Sequence, residues 1–229
     1  MVVSWLAIRA VIFDLMGTLA YRKRRIGFKR LSELLRNMGY DVYHQELEAA
    51  YRYVLFIDYP KLRLESPEVF YRQLMLRLGY QPPSRHIEVI AERFEEAEEL
   101  APYPDAEEAV RQVHLRYKTA LATTIPRFRF QKPLSRVLRY IDHVVNGAEA
   151  GVAKPNPKMF LECLRRLGVS PGEAVMVGDS PDLDVDVPYS LGIKCVLLDR
   201  GQGVVCAKVE AAIASLKELP HVLAQLQPS

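Results

Sequence analysis

The sequence predicts an α/β protein in which a parallel sheet is covered by helices on both faces and is interrupted by a helical insertion. Two patterns carry this prediction. Short apolar runs rich in aliphatic and β-branched residues recur between helix-length segments over most of the chain. From about Tyr21 to Ala101 this alternation stops, and helical periodicity continues without a convincing buried strand. Strands that alternate with helices imply right-handed crossovers, so the sheet is expected to be parallel.

Each apolar run is too short for a helix, and most are closely followed by Gly, Asp or Asn, which is typical of buried strands. The predicted strands lie at 10–13, 119–122, 143–145, 174–177 and 195–198. Helical periodicity indicates three connecting helices, at about 128–140, 157–167 and 181–191. The insertion is predicted to hold four further helices, near 27–39, 44–57, 66–79 and 85–100, with hinges at 19–22 and 101–104.

Length and composition limit the classes of function. A chain of 229 residues can form one sizeable domain and a smaller inserted one. Its 49% hydrophobic and 26% charged residues are typical of a globular protein. The formal net charge of +3 suits a small anionic substrate but is too weak to indicate nucleic acid. No stretch approaches the length of a membrane span, so a membrane is not expected as a partner either. The oligomeric state is left open.

Cysteine usage and the start of the chain predict a cytoplasmic location. Cys163, Cys195 and Cys206 form no close-spaced metal pair, and their odd number argues against a disulfide framework. A reducing compartment is the natural interpretation. The apolar start at 2–13 contains Arg9 and leads straight into Asp14, so it is predicted to be a buried strand and not a signal peptide.

Four short motifs follow four of the predicted strands, and in parallel sheets ligands bind at the carboxyl ends of the strands. In the first, Asp14 comes directly after a buried run and precedes Gly17. This pattern suits a carboxylate displayed at the sheet edge, and it suits a turn residue or a helix cap equally well. In the second, Thr123 and Thr124 end a strand. A hydroxyl there could donate to an anion, although threonine is also simply a good β former.

The other two motifs supply a cation and a group of acids. Lys154 is followed by Pro155 and could offer a fixed cation to a phosphate or carboxylate, or be an ordinary solvated lysine. After the fourth run, acidic residues are concentrated at Asp179, Asp182, Asp184 and Asp186. Hard oxygen ligands at this density favour Mg²⁺, while an acidic first turn that complements a helix dipole explains some of them.

The order and spacing of these motifs resemble the haloacid dehalogenase-like (HAD) hydrolase superfamily. The matching positions are Asp14, Thr123, Lys154-Pro155, Gly178-Asp179 and Asp184. The resemblance covers nearly the whole chain, because the insertion looks like the helical cap of that family. It implies a Rossmann-like core formed by 1–20 and 102–229 and a small all-helical cap formed by 21–101.

The resemblance also implies a role for each matching residue. Asp14 would be the nucleophile. Thr123, with its neighbour Thr124, would bind the anionic group of the substrate, and Lys154 would neutralise that group and orient Asp14. An aspartate can attack phosphorus to give an acyl-phosphate if cations offset the repulsion between the two anions.

The metal site that the resemblance implies is built from the first and fourth motifs. Asp179 would hold Mg²⁺ together with Asp14 and the backbone carbonyl of Met16, and Asp184 would be a supporting acid. Family phosphatases usually have a second Asp at the position of Met16, as general acid and base. A thioether cannot carry a proton, and losing such a group typically slows a reaction by roughly 10²–10⁴-fold. Substrates with good leaving groups would be affected least.

Three functions stay open from the sequence. The first is a Mg²⁺-dependent phosphatase of a small phosphorylated metabolite, slow because of Met16. The second is a 2-haloacid dehalogenase or a phosphonatase-like hydrolase; a dehalogenase needs no proton donor but generally lacks the Gly178-Asp179 motif. The third is a non-catalytic binding or regulatory protein on the same scaffold. Within the basic run at 22–25 one residue could contact an anionic substrate, and Tyr21 is a candidate proton donor.

Overall fold

The computed structural model describes residues 6–24 and 26–228. In chain order, the strands of this part are β1 (Ala10–Phe13), β2 (Ala20–Arg22), β3 (Leu100–Pro102), β4 (Lys118–Thr123), β5 (His143–Asn146), β6 (Ala174–Gly178), β7 (Lys194–Leu198) and β8 (Ala211–Ile213). Six of them form a sheet of order β5-β4-β1-β6-β7-β8 in which every neighbouring pair is parallel. The predicted α/β fold with a parallel sheet is therefore confirmed.

Helices follow or separate these strands. They are α1 (Phe28–Asn37), α2 (His44–Tyr53), α3 (Tyr59–Leu62), α4 (Pro67–Arg77), α5 (Ser84–Ala97), α6 (Ala106–His114), α7 (Arg127–Phe130), α8 (Ser135–Leu138), α9 (Gly147–Ala150), α10 (Pro157–Leu167), α11 (Asp186–Ser190) and α12 (Leu219–Gln225). Two π-helical turns, Val54–Asp58 and Pro181–Val185, precede α3 and α11.

The central strand β1 is buried on both faces, which explains why its sequence is apolar without alternation. Val11 and Phe13 belong to an apolar cluster that α6 and α12 complete on one side of the sheet. Ile12 belongs to a second cluster on the other side, completed by α10. The register sets Phe13 beside Leu121 of β4 and Val177 of β6. Asp14 therefore leaves the sheet between the ends of those two strands.

Helices α1 to α5 lie between β2 and β3 and are called the helical layer below. They surround an apolar cluster of their own, which includes Leu35, Leu47, Phe70 and Phe94. The four helices predicted here are confirmed as α1, α2, α4 and α5, and the second continues into the π-helical turn at 54–58. At the base of the layer β2 and β3 pair antiparallel, with Arg22 opposite Leu100. The segments predicted as hinges are thus largely paired strands.

Several local predictions were wrong or incomplete. The single helix predicted at 128–140 is divided into α7 and α8, because Pro133 lacks an N–H and disfavours helical backbone at the residue before it. No prediction was made for β2, β3, β8, α3, α6, α9 or α12. Residues 2–5 of the apolar start lie outside the described part, and the strand itself begins at Ala10. The three cysteines are free thiols. Among the described residues, no helix combines the length and apolarity needed to cross a membrane.

Candidate active site

Asp14 is a buried carboxylate at the carboxyl end of β1. Its side chain is only 7% exposed, and its backbone N–H donates to the Val177 carbonyl at 2.9 Å, which fixes the residue against β6. Oδ1 accepts a hydrogen bond from the Lys154 ammonium. Oδ2 is buried and has no hydrogen-bond partner among the described residues. Leaving such an atom unsatisfied is unfavourable, which indicates that a ligand completes the site.

Lys154 is a fixed cation between two carboxylates. Its Nζ donates to Asp14 and, at 2.6 Å, to Asp184 Oδ1, and its side chain is 4% exposed. Burial alone lowers the pKa of Lys154, but the neighbouring Asp14 and Asp184 carboxylates raise it above the ordinary value. Lys154 therefore stays charged, unlike the solvated lysine that was the alternative interpretation of its motif.

Asp14, Asp179 and Asp184 form an acidic cluster in which one ligand atom from each residue lies within 4.8 Å of the others. Burial and the charge of Asp184 raise the pKa of Asp14 to about 7, although Lys154 opposes this. Burial, with Asp184, raises the pKa of Asp179 to about 6. Three carboxylates beside one ammonium leave excess negative charge, and hard oxygen donors of this kind fit Mg²⁺. The residues present therefore suit the predicted ion.

Not every predicted acid joins the cluster. Asp182 is exposed, and Asp186 pairs with Lys208 at 2.7 Å. Asp184 is held by the π-helical turn, where its Oδ2 accepts from the Ser180 N–H at 3.2 Å. The ligand role of the Met16 carbonyl stays a prediction, and the side chain of Met16 is half-buried beside the cluster.

Thr123 and Thr124 lie at the end of β4 with their hydroxyl protons available to an anion. Thr123 Oγ1 accepts from the Ile125 N–H at 3.1 Å, and Thr124 Oγ1 accepts from the Lys154 N–H at 3.2 Å. A hydroxyl that accepts one hydrogen bond can still donate its own proton. Both residues are buried, so this geometry suits recognition of an anionic oxygen.

All seven predicted site residues line one cavity of about 320 Å³. They are Asp14, Met16, Thr123, Thr124, Lys154, Asp179 and Asp184. The remaining wall was not predicted from the sequence, and it includes Phe28, Tyr51, Arg52, Leu55 and Phe56 of the 28–58 segment, together with Ile125 and Leu183. Nothing local in the sequence distinguishes these residues from others of the helical layer, since their position depends on how the layer packs over the sheet.

The segment that leads into the helical layer contributes to two cavities. Arg22 lines the cavity of Asp14 and also a neighbouring cavity of about 880 Å³, where Tyr21 and Arg24 lie. Tyr21 packs against Tyr103, so the structure does not place this candidate proton donor among the residues that line the Asp14 cavity. Lys23 pairs with Glu99 at 2.6 Å. Arg25, the last of the basic run, lies outside the residues that the structure describes.

Comparison with known families agrees with this geometry. A family model described as haloacid dehalogenase-like hydrolase matches residues 8–187, which is most of the chain and contains every residue of the acidic cluster. The chain belongs to the haloacid dehalogenase-like hydrolase family. A second model of HAD-like hydrolases matches residues 151–224.

Proteins similar to this HAD hydrolase in sequence or in fold include phosphatases and a dehalogenase. It is 30% identical over 200 residues to the glyceraldehyde 3-phosphate phosphatase of Methanopyrus kandleri, with 85% of each chain covered. Its structure is similar to the HAD phosphatase of Thermococcus onnurineus, with a TM-score of 0.68, 26% identity and coverage of 94% of this chain and 98% of that one. A 2-haloacid dehalogenase of Pseudomonas syringae pv. Tomato gives a TM-score of 0.70 at 23% identity, covering 95% and 99%, which shows the fold alone.

A buried arginine joins the sheet of this HAD hydrolase to its helical layer. Arg129 of α7 is 1% exposed in its side chain and donates to the hydroxyls of Tyr51 at 2.7 Å and Tyr71 at 3.0 Å and to Glu95 at 2.9 Å. All three acceptors belong to the helical layer. Because α7 begins three residues after Thr124, Arg129 fixes the layer beside the residues that line the Asp14 cavity.

Gly17 brings the turn after Asp14 against Asp179. Its φ is +84°, and a Cβ at this position would overlap the Asp179 carboxylate. Gly17→Ala is expected to destabilise the protein by about 1–3 kcal/mol and to weaken Mg²⁺ binding by displacing Asp179. Urea unfolding and Mg²⁺ titration followed by thermal stability measure both effects.

Gly39→Ala is the matched control, because Gly39 has a φ of +89° with nothing within 4 Å of the added Cβ. Both substitutions introduce backbone strain, but only the first disturbs a carboxylate of the cluster. Equal Mg²⁺ affinities in the two variants would contradict this role of Gly17.

Proposed function

We propose that this HAD hydrolase is a Mg²⁺-dependent phosphatase that acts on a small phosphorylated metabolite through an aspartyl-phosphate at Asp14. The observation that carries the proposal is the acidic cluster, in which Asp14 Oδ2 has no hydrogen-bond partner within the described part of the chain. A dehalogenase needs no metal, whereas three adjoining carboxylates beside one lysine call for a further cation. The similarity to a named phosphatase over 85% of each chain supports the same function.

Mg²⁺ would be held by Asp14 and Asp179, with Asp184 in support and the Met16 carbonyl as a further ligand. When bound, the ion offsets the negative charge on the phosphate and on the carboxylates. Its fit rests on the donor set, which contains only oxygen atoms, and on the buried Asp14 Oδ2, to which residues 6–24 and 26–228 offer no hydrogen-bond partner.

The side chains of the protein provide the remaining functions. Lys154 orients Asp14 through its hydrogen bond to Oδ1, and a carboxylate oxygen of Asp14 attacks phosphorus. Thr123 and Thr124 donate their hydroxyl protons to phosphate oxygens. Water then cleaves the acyl-phosphate and regenerates the carboxylate. Phosphoryl transfer of this kind depends mainly on positioning and on charge neutralisation, and this site provides both.

The proposal includes the helical layer as a cap over Asp14, with the substrate a small anion and the protein cytoplasmic. Phe28, Tyr51 and Phe56 reach the cavity from that layer, so it is placed to select the substrate. Hydrogen exchange at 19–22 and 101–104, with and without inorganic phosphate and Mg²⁺, tests the motion of a cap. Unchanged protection at both segments would contradict a cap that opens and closes.

The decisive experiment is hydrolysis of p-nitrophenyl phosphate in the presence of Mg²⁺ and of EDTA. This ester has a good leaving group and therefore tolerates Met16 in place of an acid. Turnover that requires Mg²⁺ is expected, together with a phosphoryl group on the Asp14 peptide of acid-quenched enzyme, detected by mass spectrometry. Metal-independent release of chloride from 2-chloropropionate would instead favour a dehalogenase, and absence of both reactions would favour a binding protein.

A further inference from the structure

The cavity above Asp14 has two chemically different parts. The part built from the carboxyl ends of the strands and the loops that follow them is polar and holds the acidic cluster, Lys154 and the two threonines. The remainder is mostly apolar. Its apolar residues are Phe28, Tyr51, Leu55, Phe56, Ile125 and Leu183, together with Met16, and Arg22 and Arg52 also border it. A phosphate bound to the polar part therefore directs its leaving group toward aromatic and aliphatic side chains.

Two exposed arginines border this part of the cavity, and each pairs with a glutamate. Arg22 donates from Nε to Glu98 at 3.0 Å, and Arg52 pairs with Glu48 at 2.8 Å. The Tyr51 hydroxyl accepts a hydrogen bond from Arg129. A sugar or polyol in this position would place most of its hydroxyls against the carbon atoms of the seven apolar residues, and polar groups that lose water without gaining partners bind poorly. An aromatic ring instead gains edge and face contacts with Phe28, Tyr51 and Phe56.

The same part of the cavity offers no carboxylic acid to a leaving oxygen. Among the described lining residues, the carboxyl groups are those of the acidic cluster, and Met16 is a thioether. A leaving group therefore has to depart as an anion. A phenolate, whose conjugate acid has a pKa near 10 as in tyrosine, does so far more readily than an alkoxide.

We propose that the substrates of this site are monophosphate esters of phenols, with the ring seated among Phe28, Tyr51 and Phe56. This substrate class rests on the proposed phosphatase function. An Asp14 oxygen forms a bond to phosphorus while the bond from phosphorus to the aryl oxygen breaks, and the electron pair leaves on the phenolate. The phenolate takes a proton from solvent. Water adds OH to phosphorus and H⁺ to the departing phosphate, which restores the Asp14 carboxylate.

The size of the cavity agrees with a single ring. Its volume of about 320 Å³ lies at the lower end of the roughly 300–1,000 Å³ found for ligand cavities. One aromatic ring and a phosphate therefore suit this cavity without extending into the larger neighbouring one, with which it shares Met16, Arg22 and Phe28.

The test compares kcat/KM for phenyl phosphate, cyclohexyl phosphate and glyceraldehyde 3-phosphate with the Mg²⁺-loaded wild type. Cyclohexyl phosphate matches phenyl phosphate in size and apolarity but has a poor leaving group. We expect phenyl phosphate to exceed both alkyl esters by at least about 10²-fold, the usual effect of a missing acid. Met16→Asp is expected to reduce the ratio of kcat/KM for phenyl phosphate to that for cyclohexyl phosphate, because an acid at this position can protonate the poorer leaving group.

The results of this comparison distinguish the proposed aryl-ester substrates from the proposed phosphatase function on which they rest. Comparable turnover of glyceraldehyde 3-phosphate and phenyl phosphate would overturn the aryl class while leaving a Mg²⁺-dependent phosphatase. Failure to hydrolyse any phosphate ester with Mg²⁺ would overturn both. If Met16→Asp left the ratio of kcat/KM for phenyl phosphate to that for cyclohexyl phosphate unchanged, the missing acid would not be what favours a phenolate leaving group.

Binding provides a readout that does not depend on turnover. By calorimetry with Mg²⁺, phenylphosphonate is expected to bind at least about 10-fold more tightly than methylphosphonate, and Phe56→Ala to remove most of that difference. Ile57→Ala is the matched control, since Ile57 is the exposed neighbour on the same π-helical turn and does not line the cavity. Equal affinity of the wild type for the two phosphonates would overturn the aromatic site.

Discussion

Asp14→Asn is expected to lower Mg²⁺-dependent hydrolysis of p-nitrophenyl phosphate by at least about 10⁴-fold. An amide cannot attack phosphorus, and loss of a nucleophile removes the covalent route instead of weakening it. The change also removes a negative charge from the acidic cluster, and it leaves Lys154 with a neutral acceptor in place of a charged one. Steady-state kinetics with saturating Mg²⁺ and mass spectrometry of the quenched enzyme measure the result.

Asp182→Asn is the control for this variant. It makes the same chemical change at an exposed position only two residues before Asp184 and outside the acidic cluster. Its turnover is expected to stay close to that of the wild type. If Asp14→Asn retained substantial Mg²⁺-dependent activity, a covalent intermediate at Asp14 would be excluded.

Lys154→Met is expected to reduce both activity and stability. Activity falls by about 10²–10³-fold because the phosphate and Asp14 lose a cation at the reacting centre. The free energy of unfolding in EDTA falls by about 3–5 kcal/mol, since removing one member of a buried ion pair leaves the other charges uncompensated. Asp14 and Asp184 both lose their hydrogen bond to Nζ, so Mg²⁺ is expected to recover part of the stability.

The loss of folding stability in Lys154→Met is expected to increase with pH. In the wild type, burial already raises the pKa of Asp14 to about 7 and of Asp179 to about 6, from 3.8. A carboxyl whose pKa is higher in the folded than in the unfolded state destabilises the fold as pH rises from about 4 through 7. Without the Lys154 ammonium the pKa values of Asp14 and Asp179 rise further. The difference in free energy of unfolding between wild type and Lys154→Met is therefore expected to grow from pH 5 to pH 8.

Lys158→Met serves as the matched control, because Lys158 is an exposed lysine on α10 four residues later. Chemical denaturation of the three proteins at pH 5 and pH 8, each with EDTA and with Mg²⁺, gives the comparison. A Lys154→Met variant as stable as Lys158→Met at pH 8 in EDTA would show that Lys154 is not needed to compensate the acidic cluster.

The sheet could be predicted because its signals are local. Strands buried on both faces need continuous apolar runs, and such runs gave five of the six sheet strands. The candidate site was predictable for the same reason: Asp14 and Asp179 directly follow strands, Thr123 ends one, and these strand ends meet at one edge of the sheet. The sixth strand, β8, was missed because it has only three residues, of which only Ile213 is buried.

The apolar wall of the cavity could not be predicted, because it depends on contacts between distant segments. Arg129 and Tyr51 are separated by 78 positions, and no local pattern indicates that an arginine will be buried among tyrosines. Phe28 and Phe56 look like ordinary core residues of helices in the sequence. Their place above Asp14 follows only from the packing of the helical layer onto α7 and α9.

Arg22 and Leu100 are neighbours across the β2–β3 ladder, so residues 23–99 leave and rejoin the sheet domain at a single point. A segment whose ends adjoin can be exchanged as a module without breaking any strand of the parallel sheet. New specificity can then evolve by replacing the module while Asp14 and Lys154 keep their places. Such a replacement has one constraint: it must supply acceptors for the Arg129 guanidinium, as Tyr51, Tyr71 and Glu95 do here.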